Sequence, residues 1–495
     1  MFSDIQTPRM TSLSLHGANA ALLLRNPALV AAVCMMAGCS VGPKYKSPVV
    51  PVQPFHNLPP ASTQKSAPPP LDTWWEGFKD TQLTRIIQRS IDQNLDLAAS
   101  LTRVEQARAT AKEAGARLKP SGAAYVQSSS FRQSLDSQVG RVAGGLPSFT
   151  RNQSYLDLGV PASWEIDLFG GLRAGVEAAS AEVQAAEAER LGIRVSVAAE
   201  AADAYLQIRG VQARLTFAQE QIFTDQHLLD LVSQRKAAGI SNDREQAQAE
   251  ALLAQAKATV PPLAIILEAQ LNRLDVLMGV QPGTYAAELK APAETPLVPS
   301  ITNLSEPAEL LRRRPDIIAA ERRIAASNAR IGQALAGYYP KLSLASVLGS
   351  ESSSSVGDLF RDRGFQPSVV AGLRWRLFDF GRVDAEVKLA KGVNAEAILR
   401  FRASVLHATE EVEDSFSLLA QSEVRAEEIL GEIAALQRAR DRSQEAYTAG
   451  VIALTDVLDA DRQLLVARDD FALTKESAAR AAVGCFRALG GGWTP

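Results

Sequence analysis

The chain is a tandem duplication, and self-similarity at a fixed offset limits its architecture more than any other feature does. Asn94-Leu95-Asp96-Leu97 through Lys119-Pro120 aligns with Arg314-Pro315-Asp316-Ile317 through Tyr339-Pro340 at an offset of 220 residues. Trp164-Glu165-Ile166-Asp167-Leu168-Phe169-Gly170 aligns with Trp375-Arg376-Leu377-Phe378-Asp379-Phe380-Gly381 at 211, an offset that also carries Asp203 onto Asp414, Tyr205 onto Phe416 and Gly239 onto Gly450. The offset falls by nine, so the first copy holds nine extra residues between Pro120 and Trp164, and the Gly- and Ser-rich run Val139–Ser148 is the obvious place for them.

Each copy has the same grammar. An alanine-rich helix ends near a proline (Pro120, Pro340), two alternating apolar-polar runs follow, and a very long helix begins after the Phe-Gly pair. No proline interrupts the chain between Pro161 and Pro261, or between Pro367 and Pro495, so helix breakers are scarce in both spans. A helix from about Gly171 to Ala238 rises about 100 Å, several times a bilayer, and is far too charged to cross one. Apolar residues recur at helical spacing in Ile429-Ile433-Leu436 and Val451-Leu454-Leu458-Leu465, and alanine fills much of the remaining seam. Small seam residues let long helices approach as paired coiled coils do. Gly239 and Gly450 mark where each long helix turns back.

The alternating runs predict strands at about 122–132, 154–165, 341–350 and 367–378, roughly ten residues each, the length of a membrane strand. Trp164 and Trp375 fall at equivalent strand ends, with Tyr155 near an opposite end, as an interfacial aromatic girdle requires; a soluble hairpin pair with core tryptophans is the alternative. Four strands cannot close a barrel, and lipid does not tolerate an open edge. Two chains would give eight strands around a filled interior, whereas three give twelve and leave a pore. Cyclic association of identical chains is ordinary, so a homotrimer is expected.

Residues 1–38 read as a signal segment, to be set aside before fold reasoning. Arg25 precedes the apolar run Ala28 to Gly38, too short for a bilayer span. Met36-Ala37-Gly38-Cys39 resembles a bacterial lipobox whose cysteine is lipidated, and Ser40 after it favours outer-membrane sorting; Met10 is a second possible start, and an ordinary secretory signal with a chance cysteine is the other reading. With Cys34 removed and Cys39 acylated, Cys485 remains alone and no disulfide framework forms. Residues 39–73, with Pro43, Pro48, Pro51, Pro54, Pro59, Pro60 and Pro68-Pro69-Pro70, read as an extended tether that packs no core. The two repeats then occupy 74–290 and 291–495.

Taken in order, Met36-Ala37-Gly38-Cys39, Val41-Gly42-Pro43-Lys44-Tyr45, Trp164 to Gly170, Arg312-Arg313-Arg314-Pro315-Asp316-Ile317 and Leu489-Gly490-Gly491-Gly492-Trp493 span the mature chain. In these motifs the chain resembles the outer-membrane factor family of TolC-like channels, in the lipoprotein branch that serves efflux pumps. The resemblance implies a mainly α fold with a membrane β-barrel portion: a trimeric duct whose twelve-stranded barrel continues into a helical periplasmic tunnel. It further implies passive conduction of drugs or other small molecules, with a periplasmic adaptor and an inner-membrane pump as partners and outer-membrane lipid holding the acyl groups. A TolC-like channel for protein secretion shares the fold. A periplasmic coiled-coil adaptor is the alternative from another class, but it would carry one hairpin, not two equivalent ones.

By the same resemblance Thr455, Asp456, Leu458 and Asp459 line the periplasmic constriction, and three Asp459 carboxylates form a ring that favours cations. Asp456-x-x-Asp459 at a helix start also suits an N-terminal cap. The repeat separates the two readings: the counterparts at 211 are Glu245 and Gln248, so the first copy lacks the second carboxylate. Arg235, Lys236, Asn242 and Asp243, with the turn glycines Gly239 and Gly450, are candidates for a tip latch or an adaptor contact. Enzyme signals are poor. No Gly-Lys dipeptide occurs, and His407-Ala408-Thr409-Glu410-Glu411 lacks the second histidine a zinc site needs. No catalytic residue, metal or cofactor is expected, and a net charge of −3 gives no basic surface for nucleic acid. Arg314-Pro315-Asp316 reads as a helix-start device.

Overall fold

The structure, a computed structural model, describes residues 41–49, 53–57, 70–299, 301, 307–353 and 355–493. The signal segment and Cys39 lie outside the described residues. In chain order the elements are α1 (Thr81–Gln93), α2 (Leu95–Ala116), β1 (Ser121–Gly122), β2 (Tyr125–Arg132), α3 (Gln138–Ala143), β3 (Asn152–Ile166), α4 (Gly171–Ala237) and α5 (Asp243–Leu277). They continue as α6 (Ala286–Leu289), α7 (Pro307–Arg313), α8 (Pro315–Leu335), β4 (Lys341–Ser352), β5 (Ser368–Arg374), α9 (Arg382–Thr448) and α10 (Leu454–Ala488). Contacts divide the chain into one unit of residues 1–44, 113–176 and 329–390 and another of 45–112, 177–328 and 391–495. Residues from both sides of position 290 enter each unit.

The first unit is built on an antiparallel sheet. β1 and β2 both pair with β3, β3 pairs with β4, and β4 with β5, leaving β2 and β5 as edges. The short α3 lies in the β2–β3 connection, where the extra residues of the first copy were expected. β5 stops at Arg374, opposite Lys341, because β4 begins there after Pro340; Trp375 therefore follows the strand and does not end it. Tyr125 and Gly159 are cross-strand partners, and the Tyr125 ring fills the space above Gly159, where an added Cβ would lie 2.7 Å from Cε1.

Register sorts the side chains more sharply than the sequence alternation, which serine, alanine and glycine dilute. Cross-strand partners share a face. One face carries Val126, Leu158, Val160, Leu348, Val369 and Leu373; the other carries Gln127, Asp157, Ser163, Glu165, Lys341 and Arg374. The apolar face is uncovered, with Val126 73%, Val369 78% and Leu373 68% exposed. Trp164 belongs to it, but Tyr155, opposite Ser129 and two residues from Asp157, lies on the polar face. An odd-numbered β3 residue faces away from Leu158 and Val160, so Tyr155 and Trp164 lie on opposite faces of the sheet.

The second unit is helical. α4 and α9 each have 67 residues, and α5 and α10 each have 35. α4 ends within one residue of the expected limit. α5 continues through Pro261 and Pro262, losing only the bonds their absent N–H groups would make. Trp74, Phe78, Tyr205, Phe416 and Phe486 are buried among Ala198, Ala201, Ala202, Ala479 and Ala482, and the Trp74 and Phe486 rings stack at 5.3 Å. Of the seam residues named from sequence, Ile429 and Leu454 are buried, whereas Val451 lies in the turn and is exposed.

Part of the expected tether packs after all. Tyr45 and Phe55 sit against buried apolar clusters of the second unit, and Phe55 meets Phe416 edge-on at 6.0 Å. Tyr45 Oη donates to Glu321 at 2.9 Å, and Glu413 accepts the backbone N–H groups of His56 (2.5 Å) and Asn57 (2.7 Å). Proline content alone hid these two aromatic anchors and the carboxylates that satisfy an otherwise unpaired backbone.

Candidate functional site

The two hairpin turns are built alike. Gly239 (φ +75°) and Gly450 (φ +74°) occupy the left-handed region that ends a helix at low cost. Ile240 N–H donates to Arg235 O and Val451 N–H to Ala446 O, both at 2.9 Å, closing the last turns of α4 and α9. The returning helices start differently. Asn242 Oδ1 caps α5 by accepting from Glu245 N–H at 3.0 Å, while no side chain caps α10, whose N-cap is Ala453.

This bears directly on Asp456 and Asp459. Asp456 is in the first turn of α10 without capping it, and Asp459 lies one turn further on. The Asp459 carboxylate is held within its own helix, by Arg462 Nη2 at 2.7 Å and Gln463 Nε2 at 2.6 Å. Its geometry is that of an i,i+3 and i,i+4 side-chain network, not of a cap. Thr455, Asp456 and Asp459 are exposed together; Leu458 is half-buried against the apolar cluster of Leu228, Val232, Tyr447, Leu454 and Val457.

The four polar candidates at the first turn divide. Lys236 Nζ pairs with Asp243 Oδ1 at 2.5 Å, and this hydrogen bond holds the Asp243 carboxyl below the usual carboxylate range. Asn242 is spent on the cap. Arg235 alone reaches the other hairpin: its guanidinium lies 4.7 Å from the Tyr447 ring centroid and Nη1 donates to Thr448 O at 3.5 Å. Tyr447 and Thr448 are therefore tip residues that the sequence reading missed. Their only signal was an aromatic three residues before the turn glycine.

A second missed group lies deeper in the same seam. Asp461 occupies the third place in the buried series Leu454, Val457, Asp461, Leu464, and Asp225 the third in Ala218, Gln221, Asp225, Leu228, Val232. Both stand where a helical seam requires apolar residues, which was the legible signal. Arg440 Nε donates to Asp461 at 2.8 Å.

Elsewhere, Trp164 Nε1 donates to Leu118 O at 2.8 Å and Trp375 Nε1 to Tyr338 O at 3.0 Å, the same strand-to-helix tie in both copies. Phe169 stacks on Tyr339 at 4.5 Å, but its counterpart Phe380 is fully exposed. Arg314 is more than a helix start: it is buried and donates to Asp316, Glu411 and Ala488 O, each at 2.8 Å. Cys485 is free and buried, its thiol pushed up to about 12 by burial. Among the described residues no cluster of three metal-ligating side chains occurs.

Comparison with known proteins agrees along the whole described length. The family model described as "Outer membrane efflux protein" matches residues 86–280 and 307–491. The Pseudomonas putida protein named pyoverdine export outer membrane protein OpmQ is 32% identical over 429 residues, covering 86% of this chain and 89% of that one. Outer membrane protein OprJ of Pseudomonas aeruginosa is 30% identical over 484 residues, covering 95% and 97%. The solved structure of the outer-membrane channel OprN superposes with a TM-score of 0.85 at 30% identity, over 92% of this chain and all of that one.

Proposed function

The chain belongs to the outer membrane efflux protein family and is an outer-membrane channel component of an efflux system; from that premise we propose how its own residues build, anchor and gate the duct. Three copies close a twelve-stranded barrel, and the observation that carries this reading is the sheet itself. It has one uncovered apolar face, one polar face and two unpaired edges. β1 and β2 follow one another along β3 and count as one interrupted strand, so four strand positions alternate in direction; β2 and β5 then run opposite ways, and the β5 of one copy receives the β2 of the next in antiparallel pairing. Lipid covers the apolar face and the polar face lines the lumen.

The repeat also says what covers Phe380. Phe169 of the first copy stacks on Tyr339 of the second, whose counterpart by the offset is Lys119. Phe380 then seats over Lys119 of the next protomer, a ring and cation in place of two rings. Phe380→Ser will weaken the trimer several-fold on native gels; an unchanged trimer would remove Phe380 from the subunit contact.

Residues 1–38 are the signal, acylated Cys39 anchors the chain, residues 39–73 link anchor to body, and repeats 74–290 and 291–495 follow. The two separate stretches matched by the family model support that division. Trp164 and Trp375 mark the membrane interface. A periplasmic adaptor and an inner-membrane pump meet the hairpin tips, with Arg235 tying one hairpin to the other in the closed duct. No chemical step on the cargo is assigned.

Asp459, with Asp456, Thr455 and Leu458, forms the constriction. Three carboxylates around one axis favour cations, and Arg462 partly compensates each of them. In planar bilayers the purified full-length protein will conduct as a heat-modifiable trimer. Asp459→Ala will lower cation preference and weaken block by multivalent cations, while Arg462→Ala will raise both. Selectivity and block unchanged in both variants would take Asp459 out of the pore. Recovery of the chain as a soluble monomer once Cys39 is replaced would end the barrel reading altogether.

A further inference from the structure

Asp225 on α4 and Asp461 on α10 are 1% and 2% exposed. One oxygen of each is satisfied: Gln221 Nε2 donates to Asp225 Oδ1 at 2.7 Å, and Arg440 Nε, from α9, donates to Asp461 Oδ1 at 2.8 Å. The other oxygen of each, Oδ2, is buried and accepts no hydrogen bond among the described residues. Arg440 is moreover shared with Asp441, at 3.4 Å. The buried seam thus holds two carboxylates, one guanidinium and two acceptors without a donor among the described residues, and both the excess charge and the missing donors are costly.

One proton on Asp225 cancels the excess charge and turns its orphaned acceptor into a hydroxyl. We propose that Asp225 keeps its proton in this seam, beside the charged pair of Asp461 and Arg440, and that this proton locks the seam between the α4/α5 hairpin and the α9/α10 hairpin. The groups acting on Asp225 are Gln221 on its own helix, Asp461 on α10 and Arg440 on α9. Burial pushes its carboxyl up to about 6, with the charge of Asp461 adding to the rise and Gln221 and Arg440 opposing it.

The sign follows from linkage. The closed seam binds the proton more tightly than a solvated carboxylate does, so closure is favoured in acid and is lost progressively as pH rises toward about 6, with no further loss above. Asp461 lies seven residues inside α10, about 10 Å from its start. The joint is therefore close enough to the turns for its closure to restrain them. That consequence for the gate rests on the tip reading above; the proton on Asp225 does not.

Infrared difference spectra of the full-length protein in micelles test the proton directly. A protonated-carboxyl carbonyl band will be present at about pH 5 and absent at about pH 7.5. It will be retained in Glu476→Gln, which removes the other buried carboxyl raised to about 6, and lost from that background when Asp225→Asn is added. Amide exchange in residues 221–232 and 454–464, corrected for the intrinsic pH effect, will be roughly tenfold slower at the lower pH in the wild type. In Asp225→Asn it will be slow and unresponsive at both. Asp225→Ala supplies the same loss of the band should Asp225→Asn fail to fold. A wild-type spectrum that does not change across this range, or a band that survives when Glu476→Gln and Asp225→Asn are combined, overturns the proposal. Conductance indifferent to pH while the band titrates leaves the proton in place and overturns its control of the gate.

Discussion

Arginine in place of Val160 will abolish the membrane-inserted trimer. Val160 lies near the middle of β3, on the apolar face beside its partner Leu348. An arginine facing lipid at mid-membrane costs roughly 2–4 kcal/mol per chain, and a symmetric assembly meets that cost in every copy. Gln127→Arg, on the polar face of the same sheet, serves as the control and will assemble normally. The measurement is the fraction of heat-modifiable trimer recovered in outer-membrane fractions. Equal recovery of the two variants would mean that the apolar face does not meet lipid.

Trp74→Ala will destabilise the helical unit by about 3–5 kcal/mol, the range for removing a fully buried large aromatic side chain. Trp74 precedes α1, stacks on Phe486 near the end of α10 and meets Trp75 at 5.5 Å and Phe78 at 6.1 Å. Gly491 approaches it so closely that an added Cβ would lie 3.0 Å from the Trp74 ring. One indole therefore joins the start of the folded body to its last residues. Urea unfolding in micelles measures the loss; a shift under about 1 kcal/mol would show that this segment merely covers the core.

Much of this was legible because duplication imposes its own arithmetic. Once Gly239 and Gly450 are aligned, equal helix lengths follow, and the strand pairs follow from the shared Trp-to-Gly motif. Polar residues whose role depends on a distant partner were not legible in that way. Arg314 looked like a local helix start, yet one of its carboxylates comes from α9 and its carbonyl partner from the end of α10. Asp461 drew no reading of its own, because nothing nearby in sequence reveals Arg440 or Asp225. The face of Tyr155 was not legible for a simpler reason: strand parity is fixed by pairing, and a one-residue shift moves a side chain to the other face. For Asp459 the mismatch with Gln248 already spoke against a cap, and the bond to Arg462 removes the cap without by itself choosing the pore.

Equal helix lengths have a mechanical consequence. Two arms of 67 residues and two of 35 act as a matched set of rulers. Deleting one heptad from the α4/α5 arms alone would leave that turn short by about 10 Å, more than any side chain could bridge. Arg235 would then lose both Tyr447 and Thr448. Any change in reach has to be made in four helices at once, so the span of this protein can drift only in whole, paired steps.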